Sequence, residues 1–168
     1  MRVAVSGTPG TGKTTATERL ETDLEVIHLN EVIRRQGLTA GEDAERGSVV
    51  ADLDAVRAYL DGRADVLFES HLAHRVPAER VVVLRCHPDR LEARLRDRGE
   101  SEASASENAE AEALDVVLTE AVERHGRDAV YEIDATGRSP DGVAAAIEAV
   151  VSGERDPSAG TVSFAEYL

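Results

Sequence analysis

Cysteine is nearly missing from this chain: the 168 residues hold one, Cys86, so no internal disulfide can form. A lone thiol points to a reducing, cytoplasmic setting and, at the end of an apolar run, to a buried residue and not a nucleophile. No apolar stretch approaches the roughly 18 residues of a membrane helix. The chain opens directly on Met1-Arg2-Val3-Ala4-Val5, so neither a membrane span nor a secretory signal is expected. Tryptophan is absent, and three tyrosines and two phenylalanines are the only aromatics. Lysine occurs once, as Lys13, against 18 arginines.

What replaces these residues is acid. Asp and Glu number 33 against 19 Lys and Arg, for a formal charge of −14. Such a surface stays hydrated in concentrated salt, and the composition resembles proteins of halophilic archaea. An ordinary acidic protein from a GC-rich genome would share the bias toward Arg and Ala. A chain this acidic lacks the basic footprint of a nucleic-acid binder, so direct nucleic-acid binding is not expected. With 42% hydrophobic and 31% charged residues the chain is globular. Its length suits one domain.

Hydrophobic patterning alternates strand and helix. Arg2–Ser6, Glu25–Leu29, Ala64–Glu69, Arg80–Cys86 and Ala129–Asp134 read as five strands, nearly continuous in apolar residues as buried parallel strands are. Helices are expected over Lys13–Thr22, Asn30–Gln36, His87–Arg98, Asn108–His125 and from Ser139-Pro140 onward. Val49, Leu53, Val56 and Leu60 make a further helical stripe, and Leu114, Val117, Leu118, Ala121 and Val122 another. Gly37–Gly47 and Gly99–Ser106 read as loops. The order predicts a three-layer α/β domain with a mainly parallel five-stranded sheet and helices on both faces. The tail, with Phe164 and Tyr167, is expected to pack back on the domain.

Between the first strand and helix lies Gly7-Thr8-Pro9-Gly10-Thr11-Gly12-Lys13-Thr14-Thr15, a G-x-x-x-x-G-K-[ST] motif. Glycines let successive N–H groups turn inward on an anion, and the start of the helix adds positive potential. Lys13 would meet the β- and γ-phosphates of a nucleotide, and Thr14 would ligate Mg²⁺. Retention of one lysine in a chain that otherwise uses arginine suits a slot too narrow for a planar guanidinium.

An acid at the end of a neighbouring strand is needed to hold hydrated Mg²⁺, and Glu69 is the candidate. His71 is expected to hydrogen-bond near the phosphates, and His74 to be structural; the pair makes a poor metal site. Arg34, Arg35, Arg98 and Arg138 are candidate clamps on transferred charge, although spacing cannot select among 18 arginines. Asp52 and Asp54 read as hydrated surface.

GTPGTGKTT, FESHLAH, VVVLRCHPDRLEARLRDRG, ENAEAEALDVVLTEA and the ending GTVSFAEYL, in this order, resemble the archaeal adenylate kinase family related to the eukaryotic nuclear adenylate kinase. The resemblance spans nearly the whole chain. It implies a nucleoside monophosphate kinase fold in one P-loop kinase domain, 1–168. The part holding the monophosphate would be about His28–Ala51, and a short lid about Asp97–Glu107. ATP contacts would fall on Gly10, Gly12, Lys13, Thr14, Thr15 and Arg98, and the family's acid-x-His motif on Glu69 and His71. Its relatives are tied to maturation of the small ribosomal subunit through a platform ribosomal protein, with an ATPase activity beside the kinase one. Two departures stand out: Glu69 where aspartate is frequent, and Glu100 where an aromatic is.

The leading expectation is reversible transfer of the γ-phosphoryl of Mg·ATP to AMP. Catalytic roles would fall on Lys13, Glu69, His71 and Arg98, nucleotide binding also on Arg138, and acceptor binding on Arg34 and Arg35. One rival is a kinase of a small hydroxylated metabolite, which needs a carboxylate base such as Asp52 or Glu69. Another is an ATP-driven assembly factor acting as a switch on a ribosomal precursor.

Overall fold

In a computed structural model that describes residues 1–43 and 48–168, Arg2–Ser6 is β1, the middle strand of a five-stranded sheet. Along the chain follow α1 (Lys13–Thr17), β2 (Glu25–His28) and α2 (Leu29–Gln36). Next come β3 (Thr39–Asp43), β4 (Ser48–Ala51), α3 (Leu53–Leu60), β5 (Val66–Glu69) and β6 (Arg80–Arg85). Then come α4 (Pro88–Asp97), α5 (Glu102–Ala113), α6 (Val116–His125), β7 (Val130–Asp134) and α7 (Pro140–Ser152). The sheet runs β2-β5-β1-β6-β7, every pairing parallel; β3 and β4 form a separate antiparallel pair.

Alternation along the strands sends side chains into two cores. Ala4, Ile27, Phe68, Val81 and Val83 face α2, α3 and α6. Val3, Val5, Leu67, Val82, Leu84 and Ile133 face α1 and α7. Both faces are covered, which is why the strands read as continuous apolar runs. Successive strands leave β1 on opposite sides, so a crevice opens at the carboxyl ends beside it. Register then decides what meets there: Glu69 pairs with Val5 on one side and with His28 on the other.

Several expected elements differ from those observed. The stripe from Val49 breaks because Val49 lies on β4; α3 starts at Leu53, after Asp52 caps it by accepting from Ala55 N at 3.2 Å. Asp52 is therefore a half-buried cap, while Asp54 is exposed and paired with Arg57. The expected loop Gly37–Gly47 contains β3, and residues 44–47 fall outside the described residues. Helix α1 is shorter than Lys13–Thr22.

The largest correction concerns Gly99–Ser106 and Asn108–His125. The first is a connection only over Gly99–Ser101: α5 begins at Glu102, capped by Ser101. Its contact stripe is Ala105 and Ala109, small residues that let α5 lie closely on Leu91 and Leu95 of α4. The second is two helices, broken at Asp115, whose φ of 55° is left-handed and whose carboxylate pairs with Arg85. Leu114 consequently turns outward, 54% exposed, instead of joining the buried stripe. The tail packs as expected, with Phe164 buried and Tyr167 against the α4–α5 contact.

Candidate functional site

The loop between β1 and α1 closes on itself through its own polar atoms. Thr8 O accepts from Thr11 N at 3.3 Å, from Thr11 Oγ1 at 2.9 Å and from Lys13 Nζ at 3.1 Å. Lys13 Nζ also donates to Gly7 O at 2.9 Å. Gly7, at φ 151°, has no room for a side chain, since a Cβ would lie 2.7 Å from Leu84 O. Gly12, at φ 92°, makes the left-handed turn into α1. Lys13 is buried, and desolvation pushes its pKa down to about 8; Glu69 and Glu112 oppose this, and Arg98 reinforces it.

Glu69 stands beside the loop because β5 pairs with β1. Its Oε1 accepts from Thr14 Oγ1 at 3.0 Å and lies 2.8 Å from His28 Nδ1. A hydroxyl and a carboxylate at this separation form an oxygen donor set that suits Mg²⁺, which keeps most of its waters and takes its other ligands from substrate phosphates. Among the described residues no group of three or more His, Cys, Asp or Glu could hold a metal by itself.

Two cavities border the loop and the chain just after β5. The first, about 340 Å³, is lined by Gly10, Gly12, Thr15, Arg98 and Arg138 and by Arg94. The second, about 260 Å³, is lined by Asn30, Ile33, Arg34, Ala51, His71 and Leu72. Arg35 is exposed and is not among its lining residues. Burial, followed by the nearby charge of Lys13, pulls the pKa of His71 down to about 4, so its ring is neutral at physiological pH. His74 is structural: its Nδ1 lies 2.7 Å from Ser6 Oγ and its Nε2 2.7 Å from Glu120 Oε2. Cys86 is buried, and desolvation raises its pKa, as suits a packed thiol.

Sequence reasoning missed three participants. Arg94 donates to Gly10 O at 3.2 Å from the same helical face as Arg98, a relation visible in their four-residue spacing. His28 reaches Glu69 through strand register, which no local pattern records. Thr8 Oγ1 donates to Glu112 Oε2 at 2.6 Å, across more than a hundred residues of sequence.

A glycine loop at the switch point of a parallel sheet, with a buried lysine and a strand-end carboxylate, defines a P-loop protein with a nucleotide-phosphate site. Residues 3–115 match the family model described as an AAA domain. The chain is 70% identical to a protein of Natronomonas pharaonis named "Putative adenylate kinase", over all of both chains. Proteins of the same name from Halobacterium salinarum and Methanothermobacter thermautotrophicus are 62% identical over all of both chains and 44% identical over 99% of this chain and 98% of theirs. A crystal structure of a sulfotransferase from Alicyclobacillus acidocaldarius superposes with a TM-score of 0.56 at 15% identity, over 98% of this chain and 86% of that one, a likeness of fold alone. The chain belongs to the archaeal adenylate kinase family.

Proposed function

We propose that the protein is a nucleoside monophosphate kinase that transfers the γ-phosphoryl of Mg·ATP reversibly to AMP. The observation that carries this reading is a pair of cavities, one bordered by Gly10, Gly12 and Thr15 of the P-loop with Arg94, Arg98 and Arg138, the other by Arg34 and by His71, two residues after Glu69. The first takes ATP and the second the monophosphate. From the part expected at 28–51, Asn30, Ile33, Arg34 and Ala51 line the acceptor cavity. The lid at 97–107 is the turn between α4 and α5 together with the start of α5.

In this mechanism Lys13 leaves the carbonyls of Gly7 and Thr8 for the β- and γ-phosphate oxygens. Thr14 and Glu69 would hold Mg²⁺, which would supply charge neutralisation for the transferred phosphoryl group. Arg98 and Arg138 close on the donor side, and Arg34 holds the acceptor phosphate in line. Neutral His71 borders the acceptor cavity and offers a hydrogen bond without adding charge. The acceptor phosphate is already anionic near neutral pH, so no general base is required. The metabolite-kinase rival lacks one: Asp52 caps α3, and Glu69 is engaged by Thr14 and His28. ATP turnover measured in high salt with AMP, CMP, shikimate or gluconate as acceptor tests this reading. AMP-dependent ADP formation supports it, and turnover only with a hydroxylated metabolite overturns it.

A second reading, nucleotide-gated binding of a basic small-subunit ribosomal protein, is favoured by exposed Leu114 and Val116 beside Asp115 on an acidic chain. Binding of the purified platform protein with and without ATP tests it; equal binding in both overturns the gating.

A further inference from the structure

Among the buried charges of the described residues that the mechanism above does not use, Glu112 touches the P-loop. It lies at the end of α5 and is 2% exposed. Its Oε1 accepts from Arg85 Nε at 2.8 Å and from Cys86 N at 3.1 Å, and its Oε2 accepts from Thr8 Oγ1 at 2.6 Å. Arg85 is itself saturated: its remaining N–H groups go to Glu132 Oε1, Asp115 Oδ1, Glu112 O and Val162 O. Burial disfavours the Arg85 charge, but Glu112, Asp115 and Glu132 outweigh it and hold its pKa above the usual range. The Glu112 carboxylate is therefore fixed in place before it meets Thr8.

Thr8 is the node of the loop, because its carbonyl takes both Thr11 donors and Lys13 Nζ. When Lys13 turns to a phosphate, its two bonds to the loop carbonyls are given up, and the Thr8–Glu112 bond stays. The loop is held a second time at Gly10 by Arg94 of α4. Helices α4 and α5 pack on each other through Leu91, Leu95, Ala105 and Ala109, so the two ties belong to one hairpin, which also carries Arg98.

We propose that Glu112 is a positioning residue: by holding Thr8 it keeps the P-loop in its phosphate-ready shape after Lys13 lets go, and ties the loop to the helical pair bearing Arg94 and Arg98. This rests on the P-loop being the ATP site. It makes ATP affinity, and not acceptor affinity, depend on a bond beneath the loop.

The test uses the full chain at a temperature well below its melting point, with wild type, Thr8→Val, Thr8→Ser and Glu112→Gln. ATP binding is measured by calorimetry, and KM for ATP and AMP separately. Thr8→Val keeps the shape of Thr8 and leaves the Arg85–Glu112 pair alone. We expect it to weaken ATP binding about tenfold, the loss of one charge-assisted hydrogen bond, with KM for AMP unchanged and Thr8→Ser restoring the affinity. In the Glu112→Gln background the same Thr8→Val change should cost much less, since the two act through one bond. A lower Tm with both KM values unchanged would make the bond structural only and overturn the proposal. So would an equal rise in both KM values. If wild type itself binds no ATP, the reading of the P-loop site falls together with the proposal.

Discussion

The two cavities are built differently. On the donor side Arg98 and Arg138 at the cavity are exposed, while several polar groups of the loop are committed: Lys13 to two carbonyls, Thr8 to Glu112, Gly10 to Arg94, and Ser6, just before the loop, to His74. Most of these groups are buried, so each bond is made where water competes poorly. On the acceptor side Asn30 and Arg34 are exposed, on a helix that continues into the β3–β4 pair. The difference teaches a division of labour. On the proposed reading the triphosphate would meet a loop whose ordering cost folding has already met, whereas the acceptor would be gripped by side chains that must be ordered as it arrives.

The comparison breaks most visibly at Lys13. Lys13→Ala should lower AMP-dependent ADP formation by roughly 10³-fold or more, since it removes a buried cation from developing charge. The fold, read by circular dichroism and Tm, should survive. Normal turnover in this variant would mean that the donor side is not where the chemistry happens. Glu69→Gln keeps the shape but removes the negative charge facing Thr14, and should cost about 10²-fold in kcat. Direct titration of Mg²⁺ in the presence of ATP should show the matching loss of metal affinity.

The donor side was also the more legible one in sequence, for a physical reason. Its loop, strand and helix are contiguous, so glycine chemistry and the lysine appear as one motif from Gly7 to Thr15. Glu69 could be placed because a parallel strand ends on an acid. What escaped were ties closed by tertiary packing: His28 to Glu69 by register, Thr8 to Glu112, and the α5–α6 break, where Arg85 draws Asp115 out of helical geometry. The α5 contact escaped because its stripe is alanine, which carries little hydrophobic signal yet permits close helix approach. β3 escaped because Thr39–Asp43 is polar and glycine-containing, and gains its structure by pairing antiparallel with β4, the next strand in the chain.

A smaller effect sharpens the contrast from the acceptor side. Arg34→Ala should raise KM for AMP about tenfold, the worth of one hydrogen bond to a charged group. KM for ATP should hold within about twofold. Separate titrations of the two substrates check this, and an equal rise in both would erase the distinction between the cavities.

The smallest expected effect tests whether the donor side rests on a neutral imidazole. Burial is the main cause that lowers the pKa of His74, with Arg75 and Arg124 adding to it; the hydrogen bond and charge of Glu120 oppose it. The unfolded chain therefore takes up this proton first as pH falls below about 6.5. It binds more protons than the folded chain there, so stability declines with falling pH across that window, and above it His74 contributes no slope. Tm measured from pH 7.5 to 5.5 should fall by a few degrees on this account and that of His71, whose pKa burial lowers as well, and His74→Asn should reduce the slope while lowering the plateau. Because Ser6 leads directly into Gly7, the acid side should also weaken ATP binding before it weakens AMP binding. If AMP binding weakened first, the firmer of the two sides would be the acceptor's, and the division of labour drawn from the hydrogen bonds would be reversed.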